Sequence, residues 1–190
     1  MGQETQTTTA GVGEGTKTTP LLILDLDGTV REPLSDGKFI QRPRDQQIIN
    51  GASGAIAYFA ATGWKIVGVT NQAGVASGKK SLQSCIKEQQ YTRVLLPQID
   101  EIYFCPYFEG RKCFCVTPSE VHNHSKHPES GKFRKPNPGM LNLAIQMHAP
   151  DKVLMVGDRP EDRDAANAAG IKFQQASSWR QTLKGRQSML

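Results

Sequence analysis

Leu21-Leu22-Ile23-Leu24-Asp25-Leu26-Asp27-Gly28-Thr29 is four apolar residues running into two carboxylates, a glycine and a hydroxyl. A short apolar run that stops at a turn signal reads as a buried strand. Strand side chains alternate faces, so Asp25 and Asp27 point the same way at the strand's carboxyl end, while Gly28 lets the chain turn sharply. Two like charges that close need a cation or a shared proton. A hard divalent ion such as Mg2+ takes oxygen ligands and keeps several waters. One carboxylate then binds the ion while attacking phosphorus, and the other moves a proton. Read alone, Asp-Leu-Asp-Gly is also an ordinary turn after a strand, so the rest of the chain decides.

From residue 20 onward, apolar strand-like runs alternate with helical patterns, which is the signature of an α/β domain with a mainly parallel sheet. After a loop with Pro33, Gly37 and Pro43, Ile48, Ile49, Ala52, Ala55, Ile56 and Phe59 mark the apolar face of a helix over 45–61 that ends at Gly63. The pattern then predicts a strand over 64–69, a helix over 81–96 and a strand over 101–104. Periodicity stops over 105–134, a loop rich in Cys, His, Gly and Pro. It resumes as a helix over 140–147, a strand over 152–156 and a helix over 161–169. The fold expected is a Rossmann-like three-layer sandwich in one domain over 20–190, which 190 residues at 37% hydrophobic content can supply with a core.

Residues 1–19 are rich in Thr, Gly, Gln and Glu and lack apolar periodicity, so they read as a disordered tail. Gly11-Val12-Gly13-Glu14-Gly15 within it is a flexible stretch and not a phosphate loop, since no strand precedes it. No apolar run approaches a membrane span and the first residues lack a secretory core, so a cytoplasmic protein is expected. Four cysteines, with Cys105, Cys113 and Cys115 clustered and Cys85 alone on a helix, suggest a metal site more than a disulfide framework. The net charge of +5 favours an anionic ligand only weakly.

Further strand ends carry polar groups to the same edge, where open α/β sheets bind ligands. Val69-Thr70-Asn71-Gln72 brings a hydroxyl suited to a phosphate oxygen. Arg134-Lys135-Pro136-Asn137-Pro138-Gly139-Met140 puts a guanidinium and an ammonium just before a helix, facing a dianion or simply solvated. Val156-Gly157-Asp158-Arg159-Pro160-Glu161-Asp162 adds carboxylates: Asp158 at the strand terminus suits a metal, whereas Glu161 and Asp162 also suit helix capping.

These four segments, in this order, resemble the haloacid dehalogenase superfamily of phosphohydrolases, and the resemblance spans about residues 20–175. It implies that Asp25 is the nucleophile forming an aspartyl-phosphate and that Asp27 protonates the leaving oxygen and then activates water. Thr70, Asn71, Arg134 and Lys135 would bind the phosphoryl group. Asp25, Asp27 through its backbone carbonyl, and Asp158 would hold Mg2+, with Asp162 in support. Thr-Asn-Gln-Ala-Gly-Val, the cysteine loop and Arg-Lys-Pro-Asn-Pro-Gly-Met are similar to the small branch containing histidinol-phosphate and D-glycero-D-manno-heptose-1,7-bisphosphate phosphatases, which lack a large cap domain. The implied substrate is a small phosphorylated metabolite of the sugar phosphate, bisphosphate or histidinol phosphate type.

That branch holds a structural zinc with Cys-x-His followed by Cys-x-Cys, whereas this chain has Cys105-Pro106-Tyr107 and Cys113-Phe114-Cys115. Tetrahedral zinc needs four ligands, and His122, His124 and His127, in an insertion over 116–133, are candidates for the missing one; a metal-free loop is the alternative. Residues 111–135 carry six Lys or Arg against two Glu, which would steer an anionic substrate. A polynucleotide 3'-phosphatase is the alternative enzyme, though no aromatic residues are visibly interleaved with these cations. A noncatalytic phosphate-binding module is the alternative outside enzymology, and the presence of Asp27 argues against it.

Overall fold

The structure is a computed structural model that describes residues 18–181, so most of the expected N-terminal tail lies outside the described residues. Its centre is a seven-stranded sheet in the order β7-β6-β5-β4-β1-β8-β9. Strand β1 (Leu21–Leu24) runs parallel between β4 (Lys65–Asn71) and β8 (Val153–Gly157). All four of its side chains are fully buried, each contributing on the order of 2 kcal/mol of hydrophobic free energy. Leu21 and Ile23 pack on one face under α3 (Gly139–His148) and α4 (Pro160–Ala168). Leu22 and Leu24 pack on the other, under α1 (Ala52–Ala61) and α5 (Ala176–Arg180). Helix α2 (Leu82–Leu95), capped by Ser81, covers β5 (Glu101–Cys105) on that second side through Cys85, which is core as its helical position implied. The three-layer α/β sandwich is therefore present. Among the described residues no helix is long and apolar enough to cross a membrane.

Three expectations need correction. The helix over 45–61 starts only at Ala52: Gly51, with φ of +88°, turns the chain, and Gln47–Ile48 instead form β3, paired antiparallel with β2 (Arg31–Glu32). The stretch 105–134 is not all loop, because β6 (Phe114–Val116) and β7 (Val121–Asn123) extend the sheet antiparallel beyond β5. Three-residue strands are too short to show a period, and pairing to a preformed edge creates them. Strand β9 (Lys172–Gln175) and α5 also went unread, although Trp179 of α5 is fully buried.

Candidate active site

The parallel register sets the site. Leu24 pairs with Gly68 and with Val156, so the residues just past these pairs (Asp25, Thr70 and Asp158) emerge together at the carboxyl edge of three adjacent strands. Two glycines make the convergence possible. A Cβ on Gly28, where φ is +91°, would lie 2.4 Å from an Asp158 carboxylate oxygen, and one on Gly157 would lie 2.3 Å from the Asp162 Cβ. From α5, Arg180 Nη1 donates to the carbonyls of Gly28 and Thr29 at 3.1 and 2.8 Å and pins the turn that carries the first two acids.

Asp25, Asp158 and Asp162 each offer a carboxylate oxygen, all within 4.8 Å of one another. Lys135, buried at 4% exposure, donates from Nζ to Asp25 Oδ1 and sits equally close to Asp162 Oδ1, at 2.6 Å each. One buried ammonium against three carboxylates, with the half-exposed Arg159 guanidinium 3.9 Å from Asp158 Oδ2, leaves the cluster short of positive charge, which a divalent cation would supply. Asp25 Oδ2 is buried and has no hydrogen-bond partner among the described residues. Burial, against the pull of Lys135 and with the push of Asp162, raises the Asp25 acid to about 7. The donor set is all oxygen and hard, so these residues fit Mg2+. Asp162 Oδ2 also accepts from the Arg159 amide at 3.1 Å, so the capping reading of Asp162 holds alongside its place in this cluster.

Asp27 stands in the opposite environment. Its Oδ1 accepts from Arg31 Nε at 2.9 Å and its Oδ2 from Gln72 Nε2 at 2.8 Å and Thr70 Oγ1 at 3.2 Å. Burial disfavours the ion, but Arg31 and the other donors outweigh it and hold the carboxyl below its ordinary range. The Thr70 hydroxyl is thus committed to Asp27. Asn71 turns its amide to the backbone of Lys135, donating to its carbonyl at 2.9 Å and accepting from its amide at 3.1 Å, which fixes the lysine. Arg134 lies along the Phe108 ring, its guanidinium carbon 5.3 Å from the ring centre, and its Nη1 is buried without a hydrogen-bond partner among the described residues.

All of these groups except Asp158 line one cleft of about 750 Å3. Of the basic residues in 111–135, only Arg134 and Lys135 reach it; the other cations at its walls are Arg31, Lys38, Lys79, Lys80 and Arg159. The insertion builds the sheet edge instead of covering the site. Sequence reading also missed Arg31, Gln72, Lys80, Glu88 and Arg180.

The structure does not bring the proposed zinc ligands together. Cys105, Cys113 and Cys115 are buried in one apolar cluster, but among the described residues the aspartate trio is the only convergent group of three or more metal-ligating side chains. Cys105 Sγ donates to the Tyr107 carbonyl at 3.3 Å, where the resembled pattern has its histidine, and Cys115 Sγ turns toward Glu101. His122 pairs with Glu120, and His127 with Gln146 and the Glu129 amide. His124 packs beside Tyr103. Burial raises all three thiols, Cys115 to about 12, so they remain protonated.

Comparison with known proteins agrees with the fold. A family model described as HAD-hydrolase-like matches residues 132–174. The D-glycero-beta-D-manno-heptose-1,7-bisphosphate 7-phosphatase of Vibrio cholerae serotype O1 is 32% identical over 158 residues, covering 80% of this chain and 77% of that protein. The D-glycero-D-manno-heptose-1,7-bisphosphate 7-phosphatase of Chlorobaculum tepidum is 30% identical over 166 residues, covering 80% and 75%. Among solved structures, the D,D-heptose 1,7-bisphosphate phosphatase of B. bronchiseptica, complexed with magnesium and phosphate, superposes with a TM-score of 0.62 at 29% identity, covering 80% of this chain and 78% of that one.

Proposed function

This chain belongs to the haloacid dehalogenase-like hydrolases and is a phosphatase; from that premise we propose that it is Mg2+-dependent, forms an aspartyl-phosphate on Asp25, and acts on a small sugar phosphate or bisphosphate. The observation that carries the proposal is the Asp25, Asp158 and Asp162 cluster, short of positive charge, with an Asp25 oxygen unpartnered among the described residues beside Lys135. These three carboxylates would hold Mg2+, which when bound offsets their charge and that of the phosphoryl oxygens. Asp25 attacks phosphorus as the ester oxygen departs. Asp27 gives that oxygen a proton, then takes one from the water that cleaves the acyl phosphate. Lys135, held by Asn71, draws in the phosphoryl oxygens and balances developing charge. The setting proposed is cytoplasmic, where four unpaired buried thiols persist. The cysteine loop belongs to this reading as thiol packing without zinc; about one zinc per chain in protein purified without chelator would overturn that part.

A panel of sugar phosphates and bisphosphates, histidinol phosphate, nucleotides and 3'-phosphorylated oligonucleotides tests the substrate. Highest kcat/KM on a sugar phosphate supports the proposal, and no release from any compound at saturating Mg2+ contradicts it. One observation favours the second reading, a polynucleotide 3'-phosphatase: Phe39 and Phe108, 45% and 57% exposed, line the cleft, with Lys38 and Arg134 against their rings. Chain distance hides the second pair from sequence. Exposed rings beside cations suit base stacking, and oligonucleotide turnover that exceeds sugar phosphate turnover and falls steeply with salt would select this reading.

A further inference from the structure

We propose that Arg31, Glu88, Lys80 and Gln72 are positioning residues that hold Asp27 at the cleft in a closed ring of hydrogen bonds. The inference rests on the reading of Asp27 as the acid and base of the reaction. Around the ring, Arg31 donates from Nε to Asp27 Oδ1 and from Nη2 to Glu88 Oε1, each at 2.9 Å. Lys80 Nζ then donates to Glu88 Oε2 at 2.5 Å and to Gln72 Oε1 at 2.8 Å. Gln72 Nε2 closes the circuit on Asp27 Oδ2 at 2.8 Å. Two cations face two carboxylates, so the ring is neutral. Gln46 and Thr92 brace Arg31 from outside it, and Lys80 also reaches the carbonyl of Ile40 at 3.0 Å.

Packing alone does not account for this arrangement. Burying four charges costs more desolvation than apolar side chains of the same volume would. The Arg31, Glu88 and Lys80 side chains are 0%, 1% and 6% exposed, whereas that of Asp27 is 33% exposed and opens on the cleft. The ring therefore meets solvent mainly at the carboxylate assigned to chemistry. Its members come from five separate segments: the turn after β1, β2, the residue just past β4, the loop before α2, and α2 itself. Such a frame fixes a carboxylate in three dimensions. Each carboxylate oxygen has about two acceptor sites. Oδ2 fills both with Gln72 and Thr70, while Oδ1 has Arg31 alone and keeps one site open.

The test uses leaving groups. An alkyl phosphate needs its leaving oxygen protonated and p-nitrophenyl phosphate does not, so a displaced acid lowers kcat/KM on the first far more than on the second. Glu88→Gln and Gln72→Met are each expected to lower kcat/KM on a sugar phosphate by about 10- to 100-fold, and on p-nitrophenyl phosphate by less than about 3-fold. Thermal melting accompanies both, and Gln72→Met, which strands no buried charge, stands in if Glu88→Gln does not fold. Equal losses on the two substrates, or no loss in a folded variant, overturn the proposal. Asp27→Asn separates the layers. If Asp27→Asn shows the leaving-group dependence and the ring variants do not, the ring alone is refuted; if Asp27→Asn lacks it, the reading of Asp27 fails and takes the ring with it.

Discussion

Asp25 and Asp27 stand two residues apart on one strand end, and the fold gives them opposite surroundings. Around Asp25, three carboxylates converge, Lys135 bridges two of them, and one buried oxygen has no partner among the described residues. Around Asp27, three donors and two cations meet one carboxylate and its acidic counterpart Glu88. The first environment is short of positive charge and draws in a cation and a phosphoryl group. The second is complete without any ligand, and its donors fix the carboxylate in place. The two surroundings push identical groups apart: burial raises Asp25 to about 7, and the donors around Asp27 hold it below its ordinary range.

Substitutions at the charge-deficient side should give the largest effects. Asp25→Asn is expected to cut phosphate release by on the order of 10^4-fold or more while leaving the protein folded; substantial turnover in steady-state assays would break the assignment. Lys135→Ala should lower kcat by about 10^2- to 10^3-fold, the usual loss when one charge stabiliser is removed. It should also lower stability by about 3–5 kcal/mol at low Mg2+, since it strands Asp25 and Asp162. Added Mg2+ should restore part of that stability, and a denaturant midpoint indifferent to Mg2+ would argue against a cation site. Gly157→Ala presses a methyl against Asp162. It is expected to raise the Mg2+ concentration for half-maximal activity by about 10-fold, as displaced metal-site supports do, with a smaller loss at saturation. An unchanged Mg2+ titration would show that Asp162 does not support the ion.

The same contrast marks what sequence could convey. Asp25, Thr70 and Asp158 were legible because each follows or closes an apolar run, so parallel pairing alone carries it to the shared edge; Lys135 was legible from its place just before a helix. Arg31, Lys80 and Glu88 were not, since their roles depend on side chains meeting across as many as 57 residues and no local period records that. Helix α2 hid the cue: Cys85, Glu88, Gln89 and Thr92 form its buried face, which reads as polar. In the fold, long apolar strands and amphipathic helices were readable. Strands β6 and β7 exist only because β5 offers an edge to pair with. The clustering of Cys105, Cys113 and Cys115 was legible from their spacing and they share one buried group, whereas the Cys105 bond to the Tyr107 carbonyl was not.

Mass spectrometry of acid-quenched enzyme, mixed with Mg2+ and an activated phosphate ester, tests the division of labour most directly. The wild type should carry a phosphoryl group on the peptide containing Asp25, Asp27→Asn should accumulate more of it because hydrolysis slows, and Asp25→Asn should carry none. Turnover without any phosphoryl enzyme in wild type or Asp27→Asn, or a phosphoryl group on another residue, would contradict the account.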